Sequence, residues 1–232
     1  MNLYEIKERL SQSKKSIFTI NEFSRIFNIK KSVASVYVNR MIKKKLLFRI
    51  ERNKVSISDD AFTLSSQLIF PSYISLITAL YLHNIVEQVV DKIYVLTTKK
   101  RKNINLFGTD VIFVQTKPEL MFGYKRIEKA QSFIMLADLE KTIIDCLYFQ
   151  RYCRLSYIIT ALGKADIRKV EGYAERLNKE VVSRRLGYLL DLLGKKNSLK
   201  RKTDTTYKLN SLIKKKGKFD KKWYLYINEE IR

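Results

Sequence analysis

Apolar residues near the start of the chain recur at helical spacing, with polar and charged residues between them. Residues 3–10 carry an apolar side chain at about every turn, which predicts a short first helix. After a polar break, Thr19 and Glu22 form the T-x-x-E pattern of a capping box. Phe18 and Phe23 stand where a hydrophobic staple packs across the same helix start. A second, short helix is therefore expected to begin at about Thr19.

A third helix is predicted from about Lys31 to about Lys44, after a tight turn in which Asn28 can supply a left-handed stop. Its inner face is apolar and consists of Ala34, Tyr37, Val38 and Met41. Its outer face is small, polar and basic, and consists of Ser32, Ser35, Val36, Asn39 and Lys43, with Arg40 at the edge. A short helix, a tight turn and a longer helix make a helix-turn-helix, whose second helix enters the DNA major groove.

A β-hairpin is predicted next, because residues 46–50 and 55–58 alternate apolar and polar positions. The polar turn between them has a basic tip, where Arg52 and Lys54 would face the DNA backbone or the minor groove. A hairpin at this place is the wing of a winged helix-turn-helix, so we assign residues 1–62 to such a DNA-binding domain. Other three-helix bundles with a hairpin give the same pattern, and some winged helices bind proteins instead.

The rest of the chain, residues 63–232, mixes helical and strand-like patterns without regular alternation. Pro71 is expected to open an apolar helix, and Asp138 another with acidic residues in its first turn. Strands are predicted at 93–98, 111–116 and 133–136, then helices at 142–152, 155–162, 170–177 and 181–193, then strands at 207–209 and 223–227. The expected fold class is α+β, a winged helix-turn-helix followed by a mixed α+β domain, rather than a doubly wound sheet.

The charge of the chain indicates a class of partner. The 232 residues carry 46 Lys and Arg against 23 Asp and Glu, a net charge of +23, which implies an anionic partner such as nucleic acid. Residues 1–70 carry a net +8 (14 basic, 6 acidic), residues 71–150 +2 (10 and 8) and residues 151–232 +13 (22 and 9). Two anion-facing surfaces are therefore expected. The candidates for the second surface are Lys99, Lys100, Arg101, Lys102, Arg184, Arg185, Lys200, Arg201 and Lys202.

Residues that could carry catalysis or hold a metal are scarce. His83 is the one histidine of the chain, which excludes histidine-rich metal sites, and it is expected to be packed or at the surface. Cys146 and Cys153 lie seven residues apart on an expected helix, too far for a relaxed disulfide, and are expected to be buried apolar side chains. The glycines are isolated, so a glycine-rich phosphate loop is missing. We therefore expect no enzymatic activity, no metal and no cofactor.

Acidic residues nevertheless leave an enzymatic alternative open. Five carboxylates could gather around a magnesium ion, as in nucleases: Asp110, Glu119, Asp138, Glu140 and Asp145. Asp138 and Glu140 also have a simpler role at a helix N-terminus. The alternatives to a sequence-specific regulator are thus a magnesium-dependent nuclease and a sequence-independent DNA-binding protein of chromatin or replication.

Five segments of the chain carry a resemblance to a known family. They are PSYISLITALYLHNIVEQVVDKIYVLTTKKRK, KPELMFGYKRI, LADLEKTIIDCLY, SRRLGYLLDLLGKK and KKGKFDKKWYLYINEE. In this order, and together with the N-terminal pattern, they resemble the AbiEi family of antitoxins and predicted transcriptional regulators of antiviral (abortive-infection) defence. The most specific parts are KPELMFGY, RRLGYLL and the trio Glu140, Lys141 and Asp145. One departure is Leu139, where the family usually has a proline.

The resemblance implies a repressor and antitoxin of a type IV, AbiE-like toxin–antitoxin system. The N-terminal domain would bind inverted repeats in the promoter of its own operon, as a monomer or a homodimer. Residues 63–232 would carry the antitoxin activity, paired functionally with a nucleotidyltransferase-like toxin, AbiEii, without a stable complex being assumed. The N-terminus is charged and apolar runs are short, so a cytoplasmic protein with no membrane partner is expected.

Within the predicted DNA-binding domain, the residues divide by role. Those that would approach base edges are Ser32, Ser35, Val36, Asn39 and Arg40. Those that would hold phosphates are Lys30, Lys31, Lys43, Lys44, Arg52 and Lys54. Asn39 could read adenine and Arg40 guanine, each contributing about 1–3 kcal/mol of discrimination if the contact is bidentate.

Overall fold

The computed structural model describes residues 2–87, 91–129 and 132–230, which form nine α-helices and twelve β-strands. The N-terminal elements are α1 (Leu3–Ser11), β1 (Ile17–Thr19), α2 (Ile20–Phe27), α3 (Lys31–Lys43), β2 (Phe48–Glu51) and β3 (Lys54–Ser56). The middle elements are α4 (Ala61–Ser65), β4 (Ser72–Ile74), α5 (Leu76–Leu82), β5 (Lys92–Thr97), β6 (Ile104–Leu106), β7 (Thr109–Gln115), β8 (Tyr124–Lys129) and β9 (Ser132–Ala137). The C-terminal elements are α6 (Leu139–Tyr148), α7 (Leu155–Lys164), α8 (Ile167–Leu177), α9 (Glu180–Leu192), β10 (Tyr207–Lys208), β11 (Lys218–Asp220) and β12 (Leu225–Ile227). This mixture confirms the expected α+β class.

The N-terminal segment, which we define as residues 2–58, has a hydrophobic core of its own. Its three strands form an antiparallel sheet in the order β1-β3-β2. All three helices and the sheet contribute buried side chains to this core, among them Ile6, Leu10, Phe18, Phe23, Phe27, Ala34, Val38, Met41, Leu47 and Val55. The outer helical faces are thereby left for solvent or a partner.

Local capping explains where the first helices begin and end. The Thr19 hydroxyl accepts a hydrogen bond from the Glu22 amide at 3.1 Å, and the Glu22 carboxylate accepts from the Thr19 amide at 2.7 Å. This is the predicted capping box. Burial by itself raises the pKa of Glu22, but hydrogen bonds from Lys15 and Thr19 outweigh it and hold the pKa below its ordinary value. Asn28 ends α2 in the left-handed conformation, as expected.

The central sheet has six strands in the order β6-β7-β5-β4-β9-β8. Strand β5 is parallel to β7 and antiparallel to β4, and β4 is parallel to β9. The expected strands at 93–98, 111–116 and 133–136 correspond to β5, β7 and β9. Charged residues dominate β8, which stands at the end of the strand order, and so its strand pattern escaped the sequence analysis.

The expectation that Pro71 opens a helix is wrong for residues 72–74. These residues form β4, in which Tyr73 pairs with Leu96 of β5 and Ile74 pairs with Leu136 of β9. Strands on both sides supply hydrogen-bond partners for the buried backbone, and this tertiary pairing overrides the local helical period. The helix α5 begins afterwards, at Leu76.

Helix α6 occupies the centre of the C-terminal helices, since it contacts α5, α7, α8 and α9. Its predicted start is confirmed: the Asp138 carboxylate accepts a hydrogen bond from the Lys141 amide at 2.8 Å. All residues from Glu140 to Leu147 are buried. After α9, the chain ends in a three-stranded sheet with the order β10-β12-β11.

Cys146 and Cys153 form a disulfide, with their Cα atoms 5.5 Å apart. The expectation that they lie too far apart is wrong, although both side chains are buried as expected. Helix α6 ends at Tyr148, and a 3₁₀ turn at Gln150–Tyr152 folds the chain back. The seven-residue separation is therefore not two turns of one helix.

The chain is divided into two compact units, each assembled from separated stretches. The first consists of Met1–Ile74, Asp91–Thr116 and Arg126–Leu136, and the second of Ser75–Val90, Lys117–Lys125 and Ala137–Arg232. The division proposed at residue 62 stays a prediction, because the first unit joins the N-terminal segment to part of the chain beyond it. Within the described residues, no helix has the length and apolarity needed to cross a membrane.

Candidate nucleic-acid interface

The turn between α2 and α3 is held by two hydrogen bonds between Ser24 of α2 and Ile29. Asn28 has φ 50° and ψ 49°, a left-handed conformation that asparagine tolerates well. The Ile29 amide donates to the Ser24 carbonyl oxygen at 3.0 Å, and the Ser24 hydroxyl donates to the Ile29 carbonyl oxygen at 2.5 Å. Behind the turn, the rings of Phe23 and Phe27 pack with centroids 4.8 Å apart. The end of α2 and the conformation of the turn are thus set by local bonds and by packing within α2.

Helix α3 turns the predicted face toward solvent. Three of its inner residues, Ala34, Val38 and Met41, are buried, and Tyr37 is half-buried. The residues that are exposed on or beside the outer face are Lys30, Lys31, Ser32, Val36, Asn39, Arg40, Lys43 and Lys44. Ser35 is half-buried, and its hydroxyl donates to the Lys31 carbonyl oxygen at 3.0 Å, so its donor is already used inside the helix.

The sequence analysis missed Arg49 as a member of this surface. The Arg49 guanidinium, at Nη2, donates a hydrogen bond of 2.9 Å to the Asn39 side-chain oxygen, and both residues are exposed. The bond holds the Asn39 amide in one orientation and leaves its NH₂ group and one oxygen lone pair for another partner. Alternation along β2 already placed Arg49 on the outward side. Its contact with α3 depends on how the hairpin folds back, which no local pattern records.

The tip of the β2–β3 hairpin is partly engaged inside the protein. Arg52 is exposed, as predicted. Lys54 is half-buried, donates to the Leu68 carbonyl oxygen at 3.1 Å and pairs with Glu51 at 3.1 Å. Arg101 also pairs with Glu51, at 2.5 Å. The geometry therefore leaves Arg52 as the freer of the two predicted tip cations.

The residues predicted for the second basic surface differ in exposure, so they do not form one basic surface. Lys99, Lys100 and Lys102 are exposed, whereas Arg101 is half-buried, with its guanidinium 4.9 Å from the centroid of the Phe113 ring. Lys200 and Lys202 are exposed, and Arg201 is half-buried. The remaining two members, Arg184 and Arg185, are buried.

Arg184 and Arg185 were predicted to belong to an anion-facing surface, and this prediction is wrong. Both are buried and donate hydrogen bonds inside the protein. Arg184 is fully buried and donates to Glu180 at 2.6 Å and to the carbonyl oxygens of Thr203 and Thr205. Arg185 is 6% exposed and donates to the carbonyl oxygens of Lys208 and Leu147, each at 3.1 Å. Burial lowers the pKa of Arg185 to about 10.

Four of the five acidic residues considered for a magnesium site bind neighbouring side chains. Asp145 is buried, contacts Lys141 and accepts from the Ser75 hydroxyl at 2.7 Å. Asp138 accepts from the Tyr173 hydroxyl at 2.9 Å, and Asp110 from the Asn105 amide at 2.7 Å. Glu119 is exposed. Within the part of the chain that the structure describes, no three His, Cys, Asp or Glu side chains gather where they could hold a metal ion.

Lys169 forms ion pairs with two of these carboxylates, Asp138 and Glu140. Its ammonium group lies 2.9 Å from Asp138 and 2.9 Å from Glu140. Burial lowers the pKa of Lys169, but the hydrogen bonds to Glu140 and Asp138 outweigh it and raise the pKa above its ordinary value. Asp138, Glu140 and Lys169 therefore connect the starts of α6 and α8.

His83 is half-buried, between the two expected placements of a packed and a surface residue. Its Nε2 lies 2.9 Å from the Ala137 carbonyl oxygen, so this nitrogen carries the proton and donates. The histidine thus holds the end of α5 to the residue that precedes α6.

Comparison with known proteins supports the fold. The chain is similar to the RV2827C protein from Mycobacterium tuberculosis, whose crystal structure matches with a TM-score of 0.59 and 9% sequence identity. The match covers 96% of this chain and 89% of that chain, and at this identity it shows the fold alone. No protein-family model and no curated protein matches the sequence.

Proposed function

We propose that this protein is a sequence-specific double-stranded DNA-binding regulator that uses a winged helix-turn-helix in its N-terminal segment. The observation that carries the proposal is the exposed basic outer face of α3, held by its own core behind a hydrogen-bonded turn. In the helix-turn-helix mode, α3 lies in the major groove and α2 crosses the DNA backbone. The β2–β3 hairpin is the wing, and its exposed Arg52 approaches the backbone or the minor groove.

Charge supports the choice of nucleic acid as the partner of this surface. Residues 30–54 contain nine Lys or Arg and one acidic residue, Glu51. Glu51 is itself paired with Lys54 and Arg101, so it offers little repulsion to phosphates. Exposed lysines at both ends of α3 would neutralise phosphates and release counterions, which gives affinity without sequence preference.

Sequence preference would come from the middle of α3. Arg40 is exposed and can donate two hydrogen bonds to guanine, and Val36, 49% exposed, can contact a thymine methyl group. Asn39 is the candidate reader of adenine, and Arg49 acts on it as a positioning residue through their 2.9 Å hydrogen bond. Each bidentate contact contributes about 1–3 kcal/mol of discrimination.

The resemblance to the AbiEi family supports a proposal for the biological setting of this DNA binding. On that basis, we propose a non-enzymatic repressor and antitoxin that binds inverted repeats upstream of its own operon. The toxin would be nucleotidyltransferase-like and encoded in the same operon. The engaged state of Asp138, Glu140 and Asp145 gives the magnesium-nuclease alternative less support.

An electrophoretic mobility shift at about 150 mM salt tests the proposal. The full-length protein is titrated against the DNA upstream of its own gene and against random duplex, and the specific affinity should be about a thousandfold higher or more. An Asn39→Ala/Arg40→Ala variant should lose that preference. Lys196→Ala, which removes an exposed lysine of the C-terminal unit, should keep it.

A sequence-independent DNA-binding protein is the second candidate, supported by the net charge of +23. It predicts equal affinity for both duplexes and a steep dependence on salt. That result would refute the sequence-specific regulator, because all of the affinity would then come from phosphate contacts.

A further inference from the structure

The small sheet at the end of the chain presents two chemically different faces. In the observed register, Lys208, Tyr226 and Phe219 stand side by side across β10, β12 and β11. On the other face, Leu225 is fully buried beside Tyr207. Since alternate residues of a strand point to opposite faces, the row that contains Tyr226 lies on the outward side.

Aromatic rings cluster on that outward side, where a half-solvated sheet ordinarily carries polar residues. The Phe219 ring lies 5.0 Å from the Tyr226 ring and 5.5 Å from the Tyr224 ring, centroid to centroid. All three side chains are half-buried. We call Phe219, Tyr224 and Tyr226 the aromatic platform.

Cations cover the aromatic platform from the adjoining loops. The Arg201 guanidinium lies 3.6 Å from the centroid of the Tyr224 ring, and the Lys215 ammonium lies 4.1 Å from that of the Tyr226 ring. An arginine stacked on a ring offers its second planar face to a further planar group. Arg201 also forms an ion pair with Asp204, so the platform combines planar faces with one paired cation and with the ammonium group of Lys215.

Exposed lysines are frequent in the segments that carry the platform, although Lys218, next to Phe219 on β11, points to the opposite face of the sheet. Residues 195–222 contain twelve Lys or Arg and two Asp. Lys214, Lys216, Lys218 and Lys221 are exposed, and among the described residues none of these four side chains has an ion pair or hydrogen bond. Compensating acids are thus scarce, so the local field favours a polyanion.

We propose that the aromatic platform binds single-stranded nucleic acid. One unpaired base stacks on the outer face of the Arg201 guanidinium, and another displaces the Lys215 ammonium from the Tyr226 ring and stacks there, while nearby lysines neutralise the phosphates. Bases inside a duplex are already stacked on each other and cannot reach the platform, so duplex DNA is not its ligand. The site is separate from the N-terminal segment and does not depend on the function proposed for that segment.

Fluorescence anisotropy with the full-length protein tests this assignment. The probes are fluorescein-labelled oligothymidylate and oligouridylate of about 12 nucleotides, and blunt duplex of equal length is the competitor. Tyr226→Leu should weaken single-strand binding about 5- to 150-fold, the loss typical of one stacked base. Tyr157→Leu, which removes a half-buried tyrosine of α7, is the matched control and should leave binding unchanged. The ratio of the two probes separates a DNA ligand from an RNA ligand.

A second variant guards against a folding defect in Tyr226→Leu. Lys214→Ala/Lys215→Ala/Lys216→Ala alters exposed side chains alone, and it should weaken strand binding at least tenfold and flatten its salt dependence. Unchanged strand affinity in this variant, or duplex that competes as well as single strand, would overturn the proposal. The Asn39→Ala/Arg40→Ala variant should keep strand binding. If wild-type protein binds strands but not its promoter, the proposed regulator fails and the platform stands.

Discussion

Helices α3 and α9 are both 13 residues long and both carry arginine, but the fold uses their charges in opposite ways. Arg40 of α3 is exposed. Arg184 and Arg185 of α9 are buried, and loop and strand carbonyl oxygens accept their hydrogen bonds. Sequence analysis treated all three as contacts to an external anion. A basic residue binds an outside anion where the fold leaves it without acceptors, and it becomes a structural donor where the chain supplies them.

The sharpest test of this contrast is to remove one arginine from each helix. Arg184→Ala should destabilise the protein by about 3 kcal/mol or more, because Glu180 and two carbonyl oxygens lose their partner. Arg40→Ala should change stability by less than about 0.5 kcal/mol, as exposed substitutions do. Urea unfolding followed by the fluorescence of Trp223, the one tryptophan of the chain, measures both. Equal losses in the two variants would break the contrast.

The packing of α9 gives a second test of the contrast between α3 and α9, because Gly187 of α9 lies directly against Trp223. A methyl group at Gly187 would overlap the Trp223 indole, a rigid ring that cannot yield cheaply. Gly187→Ala should therefore cost about 1–3 kcal/mol. Gly172→Ala in α8 has open space around its methyl group and should instead stabilise by about 0.5–1 kcal/mol. Thermal unfolding of the pair is the measurement, and a Gly187→Ala variant as stable as wild type would contradict the close packing.

Arg40 of α3 should affect DNA recognition, whereas Arg184 and Arg185 of α9 should affect the stability of the fold. Arg40→Ala should reduce the preference for promoter over random duplex by about 1–3 kcal/mol, because the proposed guanine contact would be lost. Lys44→Ala should weaken both duplexes alike and lower the slope of log affinity against log salt by about one unit. Titrations at several salt concentrations separate the two effects. A parallel loss on both duplexes in both variants would remove the assigned division of labour.

The partner of Arg184 adds a smaller, pH-dependent test. Burial by itself raises the pKa of Glu180, but hydrogen bonds from Arg184 and from the Lys202 and Thr203 amides outweigh it and lower the pKa from 4.5 to about 2. A depressed carboxyl pKa contributes stability above pH 4.5 that is lost as the pH falls toward 2. Glu180→Gln should thus be less stable than wild type at pH 7, with the difference shrinking between pH 4.5 and 2. A difference that does not change with pH would show that the charge of Glu180 is not involved.

Local signals in the sequence predicted several boundaries correctly. The capping box of Thr19 and Glu22, the left-handed stop at Asn28 and the cap at Asp138 all lie where they were expected. Each depends on atoms within a few residues, so the sequence contains the whole interaction. The apolar face of α3 was predictable for a related reason, since the helical period repeats within a single element.

Contacts between distant residues were not predictable in this way. The strand at residues 72–74 exists because β5 and β9 flank it, and the hydrogen bond between Arg49 and Asn39 exists because the hairpin folds back onto α3. Cys146 and Cys153 meet because α6 stops between them. In each case the partner comes from a different element, and a linear pattern does not say which elements meet.

The sequence by itself therefore determined three properties of this protein. They are the α+β fold class, the excess of positive charge, and the helix ends that are fixed by local capping residues. The tertiary structure alone decided which charges remain available to a partner. Arg40 and Arg184 each lie on an amphipathic helix, and their local difference, Glu180 four residues before Arg184, does not by itself bury the arginine. Desolvation makes burial of a guanidinium unfavourable unless acceptors surround it, and the carbonyl oxygens of Thr203 and Thr205 supply them only when the chain has folded.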